Sequence, residues 1–320
     1  MSLECMLIKA DSIDEIAPKA LLLVDPFVNN GGHPVFTGLT HLGAKPFEQA
    51  REIWLTGNHV ESGTTGEVSW SANEKDLFVS TTISEQLPLE PATNLAYHRL
   101  FDFLDQFEDM TICRIWNFIR DINAMEDGIE RYRSFNNGRL NAFNDRLRQT
   151  RYPSACGIGT QASSCIYLQA TRNKVRFFEN PRQISAYRYP GQYGPTSPSF
   201  SRASLVFDGT QGRIYVSGTA SIVGHESLHE GDVEGQLDTT IANFNHLLRT
   251  IEGADEVTGQ VVMSLLKVYV RHEEDLSVTR QTIARAFRGV PMQFLRGDIC
   301  RKELLVEIEG VAEVSVEERS

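Results

Sequence analysis

The chain repeats its own pattern, and this repeat constrains the fold more than any single motif. Alternating polar and apolar residues over 64–83 predict a strand hairpin. A helix follows over 92–107, with Leu95, Leu100, Phe103, Leu104 and Phe107 at helical spacing. Next come a strand at 111–119, a helix at 128–147, and strands at 152–160 and 165–170. The same order begins again at Ala203. A hairpin over 203–223 turns at DGTQG, and a helix over 232–251 buries Leu237, Ile241, Phe244, Leu247 and Leu248. A strand at 261–271, a helix at 276–287 and two closing strands complete the copy. The expectation is an α+β chain of two modules, 1–175 and 176–320, the first carrying extra strands at 6–10 and 20–24. Between them, the Pro-, Gly- and Tyr-rich stretch at 179–201 reads as a long loop, and loops of that length are often functional.

The last run, VPMQFLRGDICRKELLVEIEGVAEV, reads as an antiparallel hairpin turning at Arg301, Lys302 and Glu303. That register sets Glu307 opposite Asp298 and close to Cys300. Strand alternation puts Leu305, Glu307 and Glu309 on one face and Leu304, Val306 and Ile308 on the other. An acidic face of this kind is ordinarily a solvated one. Aligned with the first copy, Glu307 matches Tyr167 and Glu309 matches Gln169, so the second copy alone carries carboxylates at these places.

Composition excludes several classes of partner. With 31 Lys and Arg against 42 Asp and Glu the net charge is −11, and no basic patch points to nucleic acid or an anionic membrane. A local arginine pocket still allows an anionic small substrate. The five cysteines are scattered without a CxxC pair, which argues against a disulfide framework or a zinc site. Of the histidines, His225 and His229 come nearest to a metal-ligand spacing, but they lie in a Gly-flanked acidic loop, so no metal and no cofactor are expected. The N-terminal residues have no signal-like apolar run, and the expected location is cytoplasmic.

Several segments carry a specific resemblance. VSGTAS (216–221), GDVEGQLDTTIANFNHLL, LLKVYVRHEEDL and LLVEIEGVAEV together resemble the YjgF/RidA family, which implies mixed β-sheets each packed against two helices and active sites in clefts between modules. The family's carboxylate-binding arginine falls at Gln293, so imine deamination is not implied, whereas its site glutamate falls at Glu307. ERYRSFNNGR, ICRIWNFI, AYRYPGQYGPTSPSFSRAS and CRKELLVEIEG resemble, more narrowly, the chorismatases, some of which have been labelled pteridine-dependent dioxygenase-like. That resemblance implies cleavage of chorismate with release of pyruvate. Gly218 and Cys300 match the hydroxybenzoate-forming members, so 3-hydroxybenzoate is the expected product, with a mixture including 4-hydroxybenzoate or a dihydroxycyclohexadienoate as alternatives. A noncatalytic protein that binds a small carboxylate is the alternative from another class.

Chorismate has two carboxylates and an enol ether, so its enzyme needs cationic clamps and an acid able to protonate the methylene carbon. Glu307 is the expected acid, with its pKa raised by burial and a neighbouring carboxylate, and Cys300 sits beside it. Arg202 is expected to reach the cleft, with Tyr187, Tyr193 and Ser201 bonding ligand oxygens or closing the loop. Arg296 pairs either with Asp298 or with substrate. Arg139 and Arg148 face the site across the module interface, and Gly157 and Gly159 offer backbone N–H groups. A surface or packing role is the plain alternative for each arginine and tyrosine, and a small buried hydrophobe is the plain alternative for Cys300. The assembly is expected to be a monomer or a small homo-oligomer.

Overall fold

Periodicity sets the elements and crossovers set their order. The computed structural model describes residues 3–9, 20–25, 34–37, 39–42, 50–147 and 151–317. Ahead of the repeat lie β1 (Glu4–Lys9), β2 (Ala20–Asp25), β3 (Pro34–Phe36), β4 (Thr40–His41) and β5 (Ala50–Leu55). The first copy contains β6 (Glu61–Thr65), β7 (Val68–Ala72), β8 (Asp76–Thr82), α1 (Leu89–Leu104), β9 (Thr111–Arg120), the small hairpin β10 (Met125–Glu126) and β11 (Ile129–Glu130), α2 (Arg131–Arg146), β12 (Ser154–Thr160) and β13 (Cys165–Thr171). The second contains β14 (Val175–Phe178), β15 (Ala203–Asp208), β16 (Gln211–Thr219), β17 (Ile222–Val223), β18 (Glu226–Ser227), α3 (Val233–Glu252), β19 (Val262–Val270), α4 (Leu276–Ala286), β20 (Met292–Arg296), β21 (Asp298–Ile299) and β22 (Val306–Ser315).

The repeat survives as topology. One seven-stranded sheet has the order β21-β12-β9-β13-β8-β7-β6, the other β14-β15-β16-β22-β19-β20-β4. Within them β12-β9-β13-β8-β7 and β20-β19-β22-β16-β15 run in matching order. In each, one parallel pair is joined through a helix: β9 to β12 through α2, and β19 to β20 through α4. The α+β class and the two helices per sheet are as expected. Helix α3 is capped by Asp232, whose carboxylate accepts from the Gly235 N–H at 3.1 Å.

The closing hairpin expected from the sequence does not form. Because α4 carries the chain back to a strand parallel to β19, β20 occupies one side of β19 and β22 takes the other, antiparallel. Glu307 therefore pairs with Tyr269, not Asp298. Residues 297–305 form a strap instead, in which β21 leaves this sheet and pairs with β12 of the other, setting Asp298 against Gly159. The segment 64–83 is likewise part of a three-stranded meander, β6 to β8, and not a single hairpin.

Strand alternation then divides the side chains. On β22, Val306 and Ile308 join the core beneath α3 and α4. On β13, Ile166 and Leu168 do the same beneath α1 and α2. The opposite faces of the two sheets meet in a central core that includes Trp116, Tyr167, Tyr215 and Tyr269, with Trp54 contributed by the N-terminal sheet β1-β5-β2-β3. Glu307 and Glu309 point to this inner side and are buried, at 4% and 1% exposure. The acidic face is therefore interior, and the two acids need an electrostatic explanation.

Candidate active site

Two backbone features shape the surroundings of Glu307. The β16–β22 register slips between Val216 and Thr219, so a bulge at Ser217 and Gly218 faces β22. Bulges re-aim side chains beside functional sites. A Cβ on Gly218 would lie 1.9 Å from Glu307 Oε1, so only glycine leaves room for the carboxyl where it stands. Ser217 Oγ donates to Ser201 O at 2.6 Å and accepts from the Ala155 N–H at 2.9 Å, which fastens the bulge to β12 of the other sheet.

The resulting cleft, of about 730 Å³, opens between the two copies. Its volume suits a small ligand. One wall comes from β12 and α2, with Cys156, Gly157, Tyr132 and Arg139. The other comes from Gly218, Glu307, the strap residue Cys300 and the loop residues Tyr189, Tyr193 and Arg202. Arg133, Arg301 and Lys302 also line it, concentrating cations on a chain whose net charge is −11. Arg202 and Arg139 are 3% and 2% exposed, and the Nε–H of each has no hydrogen-bond partner among the described residues. Arg202 otherwise donates to Ile184 O and Tyr189 Oη, and Arg139 to Asn136 Oδ1. A buried donor without an acceptor is costly, and a ligand carboxylate removes that cost.

Glu307 and Glu309 are driven to opposite protonation states. Burial, reinforced by the Glu309 charge and opposed by Arg114 and Arg202, pushes Glu307 up to about 8. No side chain among the described residues hydrogen-bonds its carboxyl. Burial would raise Glu309 as well, but Lys267 and Arg114, with hydrogen bonds from Lys267 and Tyr269, hold it at about 2. A pair of carboxylates separated in this way supplies an acid and a fixed anion at neutral pH. The Cys300 thiol is pushed up to about 12 by burial and then by Glu307, so it stands beside the acid as a neutral thiol.

Of the residues singled out from the sequence, Glu307, Cys300, Arg202, Tyr193, Gly218, Gly157 and Arg139 come together at the cleft. Four others do not, and each has a physical reason. Tyr187 is turned outward by a short 3₁₀ turn (Ala186–Arg188) and packs on Tyr152 at 5.5 Å. Ser201 is spent on backbone, its hydroxyl donating to Tyr152 O at 2.7 Å. Arg296 is exposed on β20, while Asp298 takes Arg271 at 2.6 Å instead. Gly159 packs against Asp298, away from the cleft. Arg148 lies outside the described residues. Tyr132, Arg133 and Tyr189 also line the cleft, with no mark in the sequence pattern beyond their place in the segments that carry the resemblance. Arg301, read as a turn residue, stacks on Tyr193 at 3.9 Å. His225 accepts or donates at Tyr193 Oη, 3.1 Å away. No group of three metal-ligating side chains occurs among the described residues.

Comparison with known proteins places this arrangement. A family model described as chorismatase FkbO/Hyg5-like, N-terminal, matches residues 52–170. A 3-hydroxybenzoate synthase of Streptomyces hygroscopicus is 37% identical over 281 residues, covering 84% of this chain and 82% of that protein. The chain belongs to the chorismatase family. A chorismatase of Streptomyces rapamycinicus is 35% identical, covering 85% of this chain and 84% of its own length. A crystal structure of a chorismatase superimposes with a TM-score of 0.83 at 29% identity, covering 97% of this chain and 98% of that one. As a chorismatase, this chain has its cleft, its neutral glutamate and its buried arginines at the seam between the two copies of the repeat.

Proposed function

We propose that this chain converts chorismate to 3-hydroxybenzoate and pyruvate, with Glu307 as the proton donor. The observation that carries the reading is a buried glutamate, without a hydrogen-bonding side chain among the described residues, in a cleft also lined by buried, incompletely bonded arginines. Arg202 and Arg139 hold the substrate's carboxylates, and Arg133, Arg301 and Lys302 add to the field that draws in a dianion. Glu307 gives its proton to the methylene carbon of the enol ether, whose π electrons form the new C–H bond. The ether oxygen lone pair then stabilises an oxocarbenium ion, and the Glu307 carboxylate left behind stabilises it further.

Water adds to that cation, its proton returning to Glu307, and pyruvate separates with the former ether oxygen left on the ring. The ring then becomes aromatic by losing its other hydroxyl and one hydrogen as water, so one water is consumed and one released. 3-Hydroxybenzoate and pyruvate together contain the atoms of chorismate, so the balance requires neither an oxidant nor a reductant. Gly218 and the neutral Cys300 border Glu307 where the ring must lie, and the 37% identical relative named for this product supports the choice among the three product types.

Purified protein incubated with chorismate is expected to release pyruvate and 3-hydroxybenzoate in equal amounts, read by coupled lactate dehydrogenase and chromatography. A nonaromatic diol or a large 4-hydroxybenzoate share would reassign the product. Glu307→Gln should keep chorismate binding while turnover falls by roughly 10²–10⁴-fold. Undiminished turnover in that variant would remove Glu307 from the mechanism.

A further inference from the structure

Behind Glu307, outside the cleft, four charged side chains lie buried between the sheets: Glu309, Lys267, Arg114 and Glu52, at 1%, 5%, 1% and 1% exposure. Lys267 Nζ stands 2.6 Å from Glu309 Oε1 and 2.8 Å from Glu52 Oε2. Arg114 pairs with Glu309 through Oε2. Trp116 Nε1 and Tyr269 Oη donate to Glu309 Oε1 at 3.2 and 2.8 Å, and Trp54 Nε1 donates to Glu52 Oε1 at 2.7 Å. These groups come from β5, β9, β19 and β22, so the N-terminal sheet and both copies of the repeat meet here. Two anions and two cations balance. A balanced buried cluster is a poor device for stability, because desolvation offsets most of its attraction and an apolar set of equal volume packs as well. Its position is more telling. Glu309 is two residues from Glu307 on the same face of the same strand.

We propose that Glu309 is a positioning residue for the reaction: its carboxylate, fixed as an anion by Lys267, Arg114, Trp116 and Tyr269, keeps a negative charge beside Glu307 so that Glu307 holds its proton until substrate arrives. The Lys267–Glu52 pair sets how much of that charge Glu307 feels, since it draws part of the lysine's field away from Glu309. The inference rests on the reading of Glu307 as proton donor. The groups facing Glu307 are consistent with it. Glu309 on β22 favours the protonated form, Arg114 on β9 and Arg202 before β15 oppose it, and Cys156, Cys300 and Tyr132 are all pushed upward by burial and stay neutral.

The test is the pH profile of kcat/KM for the full chain, whose basic limb reports ionisation of the free enzyme's acid. Glu309→Gln keeps an acceptor for Trp116 and Tyr269 but removes the charge. Its basic limb is expected to move to lower pH by about one unit, a tenfold loss of kcat/KM above the limb, with activity recovering toward wild type near pH 6. Adding Lys267→Gln restores charge balance, with Glu52 against Arg114, and should bring the limb back. Glu52→Gln, which leaves Lys267 to Glu309 alone, should move it in the same direction by less. An equal loss at every pH in a folded Glu309→Gln protein, with the limb unmoved, would overturn the inference and leave a packing role. If Glu309→Gln does not fold, an unmoved limb in Glu52→Gln overturns it. Failure of the donor reading is separate, since it appears as turnover retained by Glu307→Gln.

Discussion

Glu307 and Glu309 carry the same functional group two residues apart, and what differs is the company each keeps. Glu309 has four donors around it, whereas Glu307 is buried against a glycine with no hydrogen-bonding side chain among the described residues, and the like charge of Glu309 outweighs each of the opposing arginines, Arg114 and Arg202. The difference predicts opposite effects on stability. Glu307 is raised from 4.5 to about 8. Below 4.5 both the native and unfolded chains carry its proton, and between 4.5 and 8 only the native chain does, so stability falls as pH rises through that window. Glu309 is lowered to about 2, so its contribution is present above 4.5 and is lost as pH falls toward 2. Glu307→Gln mimics the neutral acid and removes the first dependence. Its melting temperature should match wild type near pH 4.5 and exceed it by a growing margin up to pH 8, where the full effect is on the order of 4 kcal/mol. Melting curves for the two proteins from pH 5 to 8 check this, and parallel curves would show that Glu307 is ionised in the native state. A protein that gains stability by losing its acid is one in which catalysis sets the residue.

The element that carries most of the site's edge is the strap 297–305, which the sequence presents as half of a hairpin. Arg271, just beyond β19, clasps it. Nε donates to Leu304 O at 2.8 Å, Nη1 reaches Asp298 Oδ1 at 2.6 Å, and Nη2 donates to Ile299 O and Arg301 O at 3.1 and 3.0 Å. The same guanidinium bonds Asn123 Oδ1 at 3.2 Å, tying the strap to the first copy of the repeat. Arg271→Ala strips the partners from several backbone carbonyls at once, so a loss of roughly 3 kcal/mol is expected. Because Cys300 and Arg301 ride on the strap, kcat/KM for chorismate should fall with it. Wild-type melting in this variant would mean that the strap is held by its neighbours alone.

Sequence periodicity was a good guide to which face a residue takes, and a poor one to which strand lies beside it. Alternation put Glu307 and Glu309 together and opposite Val306 and Ile308, and that placement holds. The neighbour of β22 depends on α4 returning the chain parallel to β19, a long-range fact with no local mark. Periodicity misplaces Tyr187 for a related reason, since a three-residue 3₁₀ turn leaves no period and decides that Tyr189, not Tyr187, faces the cleft. Ser201 was unreadable because its partner is a backbone carbonyl far away in sequence.

At the scale of the molecule, the two copies of the repeat are not independent bodies. Trp54 from the N-terminal sheet lies 5.6 Å from Tyr215, 6.4 Å from Trp116 and 5.5 Å from Phe78, ring to ring, so one aromatic side chain touches both sheets. Trp116 stacks on Tyr167 at 4.6 Å in the same cluster. Splitting the copies would expose this core and the four buried charges together, a far larger penalty than opening an interface between finished domains. Unfolding should therefore be one transition. In urea, tryptophan fluorescence, to which Trp54 and Trp116 at the centre contribute together with half-buried Trp70 on β7, and far-ultraviolet circular dichroism, which reports helices on both outer faces, should give the same midpoint. Trp54→Ala, which removes a large buried side chain at the meeting point, should lower that midpoint for both probes alike, at a cost of about 3–5 kcal/mol. Two separated transitions would mean that each copy holds its own fold and that the cleft between them is a docked surface. A single one ties the geometry of Glu307 to the N-terminal sheet, because the residues that fix Glu309 and those that hold the sheets together are then one cooperative unit.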